Sequence, residues 1–159
     1  MHWGEYMKIY KGMEIMNVID TMDYILFNSS LGPVFDNDEH HYRDLLEGCE
    51  SILDNMMCFM SDDEQSYMFI SFDKSDYSIC IAMWCSISNS VDFKQTLGYF
   101  NCLRNLYKGL TNKVTISANC RTTTSLPVVE KLDGRRGIHV TYIGKECHGF
   151  SDVVMVCEI

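Results

Sequence analysis

Five stretches between residues 67 and 132 decide the fold. They read YMFISFD (67–73), YSICIAMWCSIS (77–88), DFKQTLGYFNCLRNLYKGL (92–110), KVTISANC (113–120) and SLPVVEKL (125–132). The first, second and fourth are apolar and rich in β-formers, the third carries apolar residues at helical spacing, and the fifth has a proline in its first turn. This order predicts a hairpin, a strand–helix–strand unit and a short helix. Such a pattern is typical of a mixed α/β fold whose ligand site lies where the strands end.

The flanking sequence adds further elements to the predicted sheet. YMKIY (6–10) predicts a first strand, and apolar residues at helical spacing predict helices over 17–27 and 36–60. IHVTYIG (138–144) and SDVVMVCEI (151–159) predict two closing strands, of which the last is apolar enough to be buried in its own sheet or to pair across a homodimer. The predicted order is β-α-α-β-β-α-β-α-β-β, in a single domain over residues 1–159.

Composition bounds the class of protein. No run of apolar residues is long enough for a transmembrane helix, and the first residues, MHWGEYMKIYKG, do not resemble a secretory signal. Most of the eight cysteines lie in apolar runs and none forms a Cys-x-x-Cys pair, so we expect free thiols in a reducing compartment. The sequence therefore predicts a cytoplasmic protein that does not associate with membranes.

Charge is divided unevenly along the chain. Up to residue 93, four basic residues stand against seventeen acidic ones, whereas residues 94–145 hold nine basic and two acidic residues. One interpretation is that the second half faces an anion, and the other is that the two halves attract each other. The net charge of −9 opposes non-specific binding to nucleic acid, so a nucleic-acid partner is not expected.

A polar stretch follows the strand KVTISANC. RTTTS (121–125) ends that strand and opens the next helix, with Lys131, Arg135 and Arg136 nearby in sequence. Hydroxyls and free N–H groups at a helix start, beside Arg121, suit a phosphate or a carboxylate. Ordinary N-capping by Thr124 or Ser125 explains the same residues.

The order of elements, together with VTISANCRTTTSLPVVEKLDG (114–134), resembles the GNAT-type (GCN5-related) N-acyltransferase superfamily. In that family a fifth strand commonly ends near an asparagine, and the following short helix ends in a Tyr-Glu-Lys-Leu-Gly-Phe-like sequence. Here Asn119 ends the strand, and VEKLDG (129–134) stands at the end of the helix. By order of elements the resemblance covers nearly the whole chain.

The resemblance implies transfer of an acetyl or other acyl group from acyl-CoA to an amine. It places the pantetheine arm between splayed strands and the pyrophosphate at the start of the helix after the second strand of the hairpin. With the anion-binding interpretation of residues 121–125, the expected cofactor-binding residues are Ile87, Ser88, Asn89, Ser90, Val91, Asn119, Arg121 and Ser125.

Two departures from the family pattern leave a second function open. The family's acyl-CoA loop contains glycines, whereas SNSVDF (88–93) has none and brings an acid close to the expected pyrophosphate. Val129 stands where a tyrosine often serves as the general acid, so no catalytic residue is assigned. The alternative is a catalytically silent GNAT-like module, such as a virus or phage encodes, that binds a protein or nucleic-acid partner.

Three other clusters contain residue types that are found in metal-binding or catalytic sites. DNDEHH (36–41) is rich in metal-ligand types, but adjacent helical residues diverge, and we expect no metal site. His139 and Thr141 resemble half of a two-histidine phosphoesterase site, but no second copy exists in the sequence. Cys147 and His148 are adjacent on an extended chain and are expected to point apart.

Overall fold

The computed structural model describes residues 7–12, 14–15, 55–62, 66–73, 75–86 and 93–159. Its strands are β1 (Met7–Lys11), β2 (Met56–Ser61), β3 (Ser66–Asp73), β4 (Ser78–Ser86), β5 (Lys113–Arg121), β6 (Ile138–Ile143) and β7 (Phe150–Glu158). Its helices are α1 (Phe93–Tyr107) and α2 (Ser125–Leu132). The strands form one sheet in the order β1-β2-β3-β4-β5-β7-β6, with parallel and antiparallel pairs. The predicted mixed α/β class is confirmed.

Two compact units divide the chain, one made of residues 1–71 and 83–90 and the other of residues 72–82 and 91–159. In the first unit β2 pairs antiparallel with β1 on one side and with β3 on the other. Every residue of β2 is buried, and β2 and β3 supply most of the large buried apolar side chains among the described residues of this unit. Those with almost no exposed surface include Phe59, Met60, Tyr67, Met68 and Phe69.

The predicted helix over 36–60 is wrong in its last part, because Met56–Ser61 is strand β2. A strand that is paired on both edges and buried on both faces shows no alternation of polar and apolar residues. The run MMCFM therefore continued the apolar stripe of the preceding residues, and periodicity alone does not separate a buried strand from a buried helix. The predicted order lacked this strand. The predicted helix over 17–27 and the remainder of the one over 36–60 lie outside the described residues.

In the second unit β5 alternates regularly between the two faces of the sheet. Its residues Val114, Ile116, Ala118 and Cys120 are buried, whereas Lys113, Thr115, Ser117 and Asn119 are exposed. Leu126, Val129 and Leu132 of α2 are buried as well, and α2 contacts β5 and β6. One face of this part of the sheet is therefore core, and the other is open.

The final strand β7 lies between β5 and β6 and pairs antiparallel with both. Of the two alternatives that the sequence left open, burial in its own sheet is therefore the one observed. The edge strand in this unit is β6, where Asp133 Oδ1 accepts a hydrogen bond from the backbone N–H of Val140 at 2.9 Å. A side chain that occupies edge N–H groups hinders pairing with another chain.

Helix α1 ends three residues earlier than the sequence predicted, at Tyr107. Gly109 has a φ of 84°, and the N–H groups of Leu110 and Thr111 both donate to the carbonyl of Tyr107. A glycine in the left-handed region is a common way to end a helix. Among the described residues, no helix has the length and apolar character needed to cross a membrane.

Candidate functional site

The parallel strands β4 and β5 pair within the second unit. Their register runs from Ser78 opposite Thr115 to Ile81 opposite Ala118 and ends there. β5 nevertheless continues through Arg121, paired on its other side with β7.

Asn119 and Asp152 form a pair at this position on the open face of the sheet. They lie opposite each other in the β5–β7 register, both exposed, and Asn119 Nδ2 donates to Asp152 Oδ1 at 2.8 Å. A carboxylate can only accept, so the amide nitrogen of Asn119 must face Asp152. The amide oxygen of Asn119 is left for a ligand.

The side chains of Arg121 and Ser125 are already engaged. The Arg121 guanidinium lies over the ring of Phe150, its cross-strand neighbour, with Cζ 5.4 Å from the ring centroid. Ser125 is buried at the start of α2, where its Oγ accepts from the backbone N–H of Arg121 at 2.9 Å. Thr124 makes no capping hydrogen bond with its side chain. The structure thus brings Arg121 and Ser125 together through the backbone, and Ser125 supports the end of β5.

Cys120 lies on the buried face between these residues. Burial raises the pKa of its thiol to about 11, a hydrogen bond with Ser125 opposes the rise, and the charge of Asp152 adds to it. A thiol of this kind is protonated at neutral pH and is a poor nucleophile. Cys120 is therefore part of the core of the site and not its reactive group.

Two cations converge on the first residue of α1. Lys131 Nζ lies 5.0 Å from the centroid of the Phe93 ring, and Arg135 Cζ lies 5.8 Å from the same centroid. The first turn of α1 contains no acidic residue. The N-terminal end of a helix carries a partial positive charge, so the two side chains add to a field that favours an anion.

The remaining predicted cofactor residues, Ile87, Ser88, Asn89, Ser90 and Val91, lie outside the described part of the chain, as does the cluster at residues 36–41. No group of three or more metal-ligating side chains occurs among the residues that the structure describes.

The other two clusters, His139 with Thr141 and Cys147 with His148, belong to the strand and turn structure around β6 and β7. His139 Nε2 lies 3.5 Å from Glu158 Oε1, and Thr141, at a bulge in β6, donates to the carbonyl of Val154. Cys147 precedes a tight two-residue turn of His148 and Gly149, both with positive φ. Such φ values are those of a type I′ hairpin turn.

A groove of about 620 Å³ lies at the other end of α1, lined in part by Arg104, Lys108 and Ile159. The Arg104 guanidinium donates to the carbonyl oxygens of Glu158 and Arg136 and to Asn101 Oδ1. These bonds join the end of α1 to β7 and to the turn before β6. Arg104 therefore supports the fold here, away from Phe93 and Asn119.

Sequence reasoning missed two members of the site. Helical spacing places Phe93 among the apolar residues of its helix, and nothing in the order of residues indicates that Lys131 and Arg135 lie over its ring. Asp152 was not singled out, because its pairing with Asn119 depends on a register between strands 33 residues apart. In the sequence, this part of the site was indicated only by the position of Asn119 at the end of a predicted strand.

No protein-family model matches the sequence, and no curated protein matches it either. Solved structures do match over nearly the whole chain. A chimera of the spermidine N-acetyltransferase SpeG from Vibrio cholerae and hSSAT has a TM-score of 0.60 at 10% identity, covering 96% of this chain and 95% of that one. A GNAT-family acetyltransferase from Bacillus anthracis has a TM-score of 0.56 at 12% identity, with coverages of 96% and 95%.

A third match is the NatC complex bound to Gag peptide and CoA, with a TM-score of 0.54 at 9% identity and coverages of 97% and 99%. At such low identity the matches establish the fold alone. The chain therefore has the fold of the GNAT-type acetyltransferases.

Proposed function

We propose that this protein transfers an acyl group from acyl-CoA to an amine. The amine nitrogen attacks the thioester carbonyl carbon, a C–N bond forms and the C–S bond breaks. The nitrogen loses a proton, and the sulfur leaves as a thiolate that takes up a proton to give free CoA. The products are an amide and CoA.

The observation that carries this proposal is the pair of cations over Phe93. Both cations lie near one ring, at 5.0 and 5.8 Å from its centroid, so an anion bound there would be attracted by two positive charges. CoA carries its phosphates at the end remote from the thioester. Lys131 and Arg135, together with the start of α1, would hold those phosphates.

Asn119 at the end of β5 supports the remainder of the cofactor's path. Its amide nitrogen donates to Asp152, so its amide oxygen can accept from an amide of the pantetheine arm. Residues 87–91 remain predicted contacts of the cofactor.

Calorimetric titration with acetyl-CoA tests the proposal. We expect saturable micromolar binding and a raised Tm, since a ligand that binds only the native state stabilises it. The double variant K131A/R135A should weaken binding at least tenfold, because hydrogen bonds to charged groups contribute roughly 1.5–3 kcal/mol each. Lys108→Ala is the matched control: it removes one exposed cation from the opposite end of α1 and should leave the affinity unchanged.

Absence of heat and of a Tm shift at millimolar acetyl-CoA would overturn acyl-CoA chemistry. It would favour the silent module that binds a macromolecular partner. Equal loss of affinity in K108A and in K131A/R135A would show that net charge, and not the site over Phe93, determines binding.

A further inference from the structure

We propose that the groove at the C-terminal end of α1 binds a small phosphate monoester that carries an apolar substituent. The groove has a volume of about 620 Å³, within the range of roughly 300–1,000 Å³ that is typical of pockets for small organic ligands. Its described lining residues include two cations, Arg104 and Lys108, and none of them is acidic. Arg104 follows Phe93 by about three turns of α1, roughly 16 Å along the helix axis. The groove is therefore separate from the proposed acyl-CoA site and does not depend on acyl transfer.

The Arg104 guanidinium is fixed in place, and its charge is not neutralised by an acid. Its three hydrogen bonds go to neutral acceptors, the carbonyl oxygens of Glu158 and Arg136 and the side-chain oxygen of Asn101. The carboxylate of Glu158 lies beside His139, and among the described residues Arg104 forms no ion pair. A guanidinium has five N–H groups, so two remain for a ligand. Because the side chain is already ordered, binding costs little of its conformational freedom.

The positive charge of this groove does more than offset the helix dipole. The C-terminal end of a helix carries a partial negative charge that basic side chains often balance. Here the carbonyl of Tyr107, the last residue of α1, accepts from the N–H groups of Leu110 and Thr111. Arg104 bonds to carbonyls outside α1, on β7 and on the turn before β6. The end of α1 is thus closed by its own turn, and the charge of the groove stays available to an anion.

The two cations together match a phosphate monoester. Lys108 comes four residues after Arg104, is exposed, and makes no ion pair within the part of the chain that the structure describes. A phosphate monoester carries about two negative charges at neutral pH and three oxygens that accept hydrogen bonds, so it can engage both cations. A carboxylate carries one charge and would leave one of the two cations uncompensated.

Apolar surface beside the cations selects the substituent. Leu110 lines the groove and is 61% exposed, and the half-buried Ile159 lines it as well. A group lying on these side chains removes apolar surface from water. The amides of Asn105 and Asn112 can both donate to and accept from polar atoms of the ligand. The site therefore favours an aryl or alkyl phosphate over inorganic phosphate.

Phenyl phosphate, titrated into the whole protein and followed through the amide resonances by NMR, tests this inference. We expect saturable shifts at Leu110, Thr111 and Asn112, with a dissociation constant in the millimolar range or below. Lys108→Glu should weaken binding at least about tenfold, because it replaces an attraction to the dianion with a repulsion. Lys145→Glu is the matched control: this exposed lysine lies between β6 and β7, and its reversal should change the affinity by less than about twofold.

A second pair of measurements tests the apolar contact. Leu110→Asn should weaken binding of phenyl phosphate about threefold and leave that of inorganic phosphate unchanged, since only the ring lies on the leucine. Equal affinity of the wild-type protein for the two phosphates would overturn the apolar part of the site.

The absence of saturable shifts at the end of α1 would overturn the inference. Equal losses in K108E and K145E would also overturn it, because net charge would then determine binding. Shifts around Phe93 that disappear in K131A/R135A and persist in K108E would assign the phosphate to the start of α1 instead. Titration with acetyl-CoA reports on the site over Phe93, so the proposed acyl transfer stands or fails independently of these results.

Discussion

Replacing Ser125 with alanine separates a structural role from a role in binding the cofactor. In the structure, Ser125 Oγ accepts from the backbone N–H of Arg121 at 2.9 Å and lies 3.4 Å from the Arg121 carbonyl oxygen, to which it donates. The side chain is 8% exposed. Alanine removes both bonds and leaves the N–H of Arg121 without its partner at the end of β5.

The expected loss in the free energy of unfolding depends on how well water can replace the partner of the Arg121 N–H group. Loss of a typical hydrogen bond costs about 0.5–1.5 kcal/mol, and a buried donor left unpaired costs about 1–3 kcal/mol. Arg121 is half-buried, and water can reach part of the gap, so we expect a loss of about 1–2 kcal/mol. In a chain of this size each kcal/mol lowers Tm by about 2–4 °C, which gives a decrease of about 2–8 °C.

Thermal unfolding and acetyl-CoA titration are measured on the same samples. Thr123→Ala is the matched control, since it removes an exposed hydroxyl from the same segment and should change stability by less than about 0.5 kcal/mol. We expect S125A to unfold at lower temperature while its acetyl-CoA affinity stays within about twofold of wild type. An unchanged Tm with a tenfold loss of affinity would refute the structural role and restore the sequence prediction that Ser125 binds the cofactor.

Three further perturbations follow from the structure. Arg104→Lys should lower the free energy of unfolding by about 1–3 kcal/mol in urea denaturation, because lysine cannot reproduce the fork that reaches the carbonyl of Glu158; an unchanged midpoint would contradict this. Hydrogen bonds from Ser75 lower the pKa of Asp73 in the folded protein. The carboxylate therefore stabilises the fold at pH values above the ordinary pKa of aspartate, and this contribution is lost as the pH falls through the lowered pKa. An NMR titration should show that Ser75→Ala raises the pKa of Asp73. Burial raises the pKa of Cys58 to about 12, so its thiol ionises first in the unfolded chain, and stability should fall by roughly 1.4 kcal/mol per pH unit above pH 9; a flat alkaline limb would contradict its burial.

The second unit was largely predictable because its patterns are local. The helix over Ser125–Leu132 has the predicted bounds, since its apolar spacing and Pro127 both act within one short segment. β5 shows a regular alternation of buried and exposed residues that the sequence displays directly. β2 has no such alternation, because it is buried on both faces, and its strand character depends on partners remote in sequence.

Only one part of the candidate site, at the end of β5, could be predicted from the sequence. Asn119 marks that end, and the sequence identified it. The geometry around it depends on pairing with β7 and on the approach of α2 to the start of α1, and neither is encoded by local spacing. Sequence reasoning also grouped Arg121 with Lys131 and Arg135 as one anion-binding surface. The structure separates them, because Arg121 lies over Phe150 and the other two lie over Phe93.

Because these cations lie in different places, the excess of basic residues over 94–145 cannot be assigned to one surface. A count of basic residues treats each cation as available to a ligand, whereas Arg104 is bonded to main-chain carbonyls and Arg121 is stacked on a ring. Lys131 and Arg135 lie elsewhere, over Phe93 at the start of α1. The basic residues of the second half are therefore distributed over several local settings, and their number does not measure the positive charge that one ligand would meet.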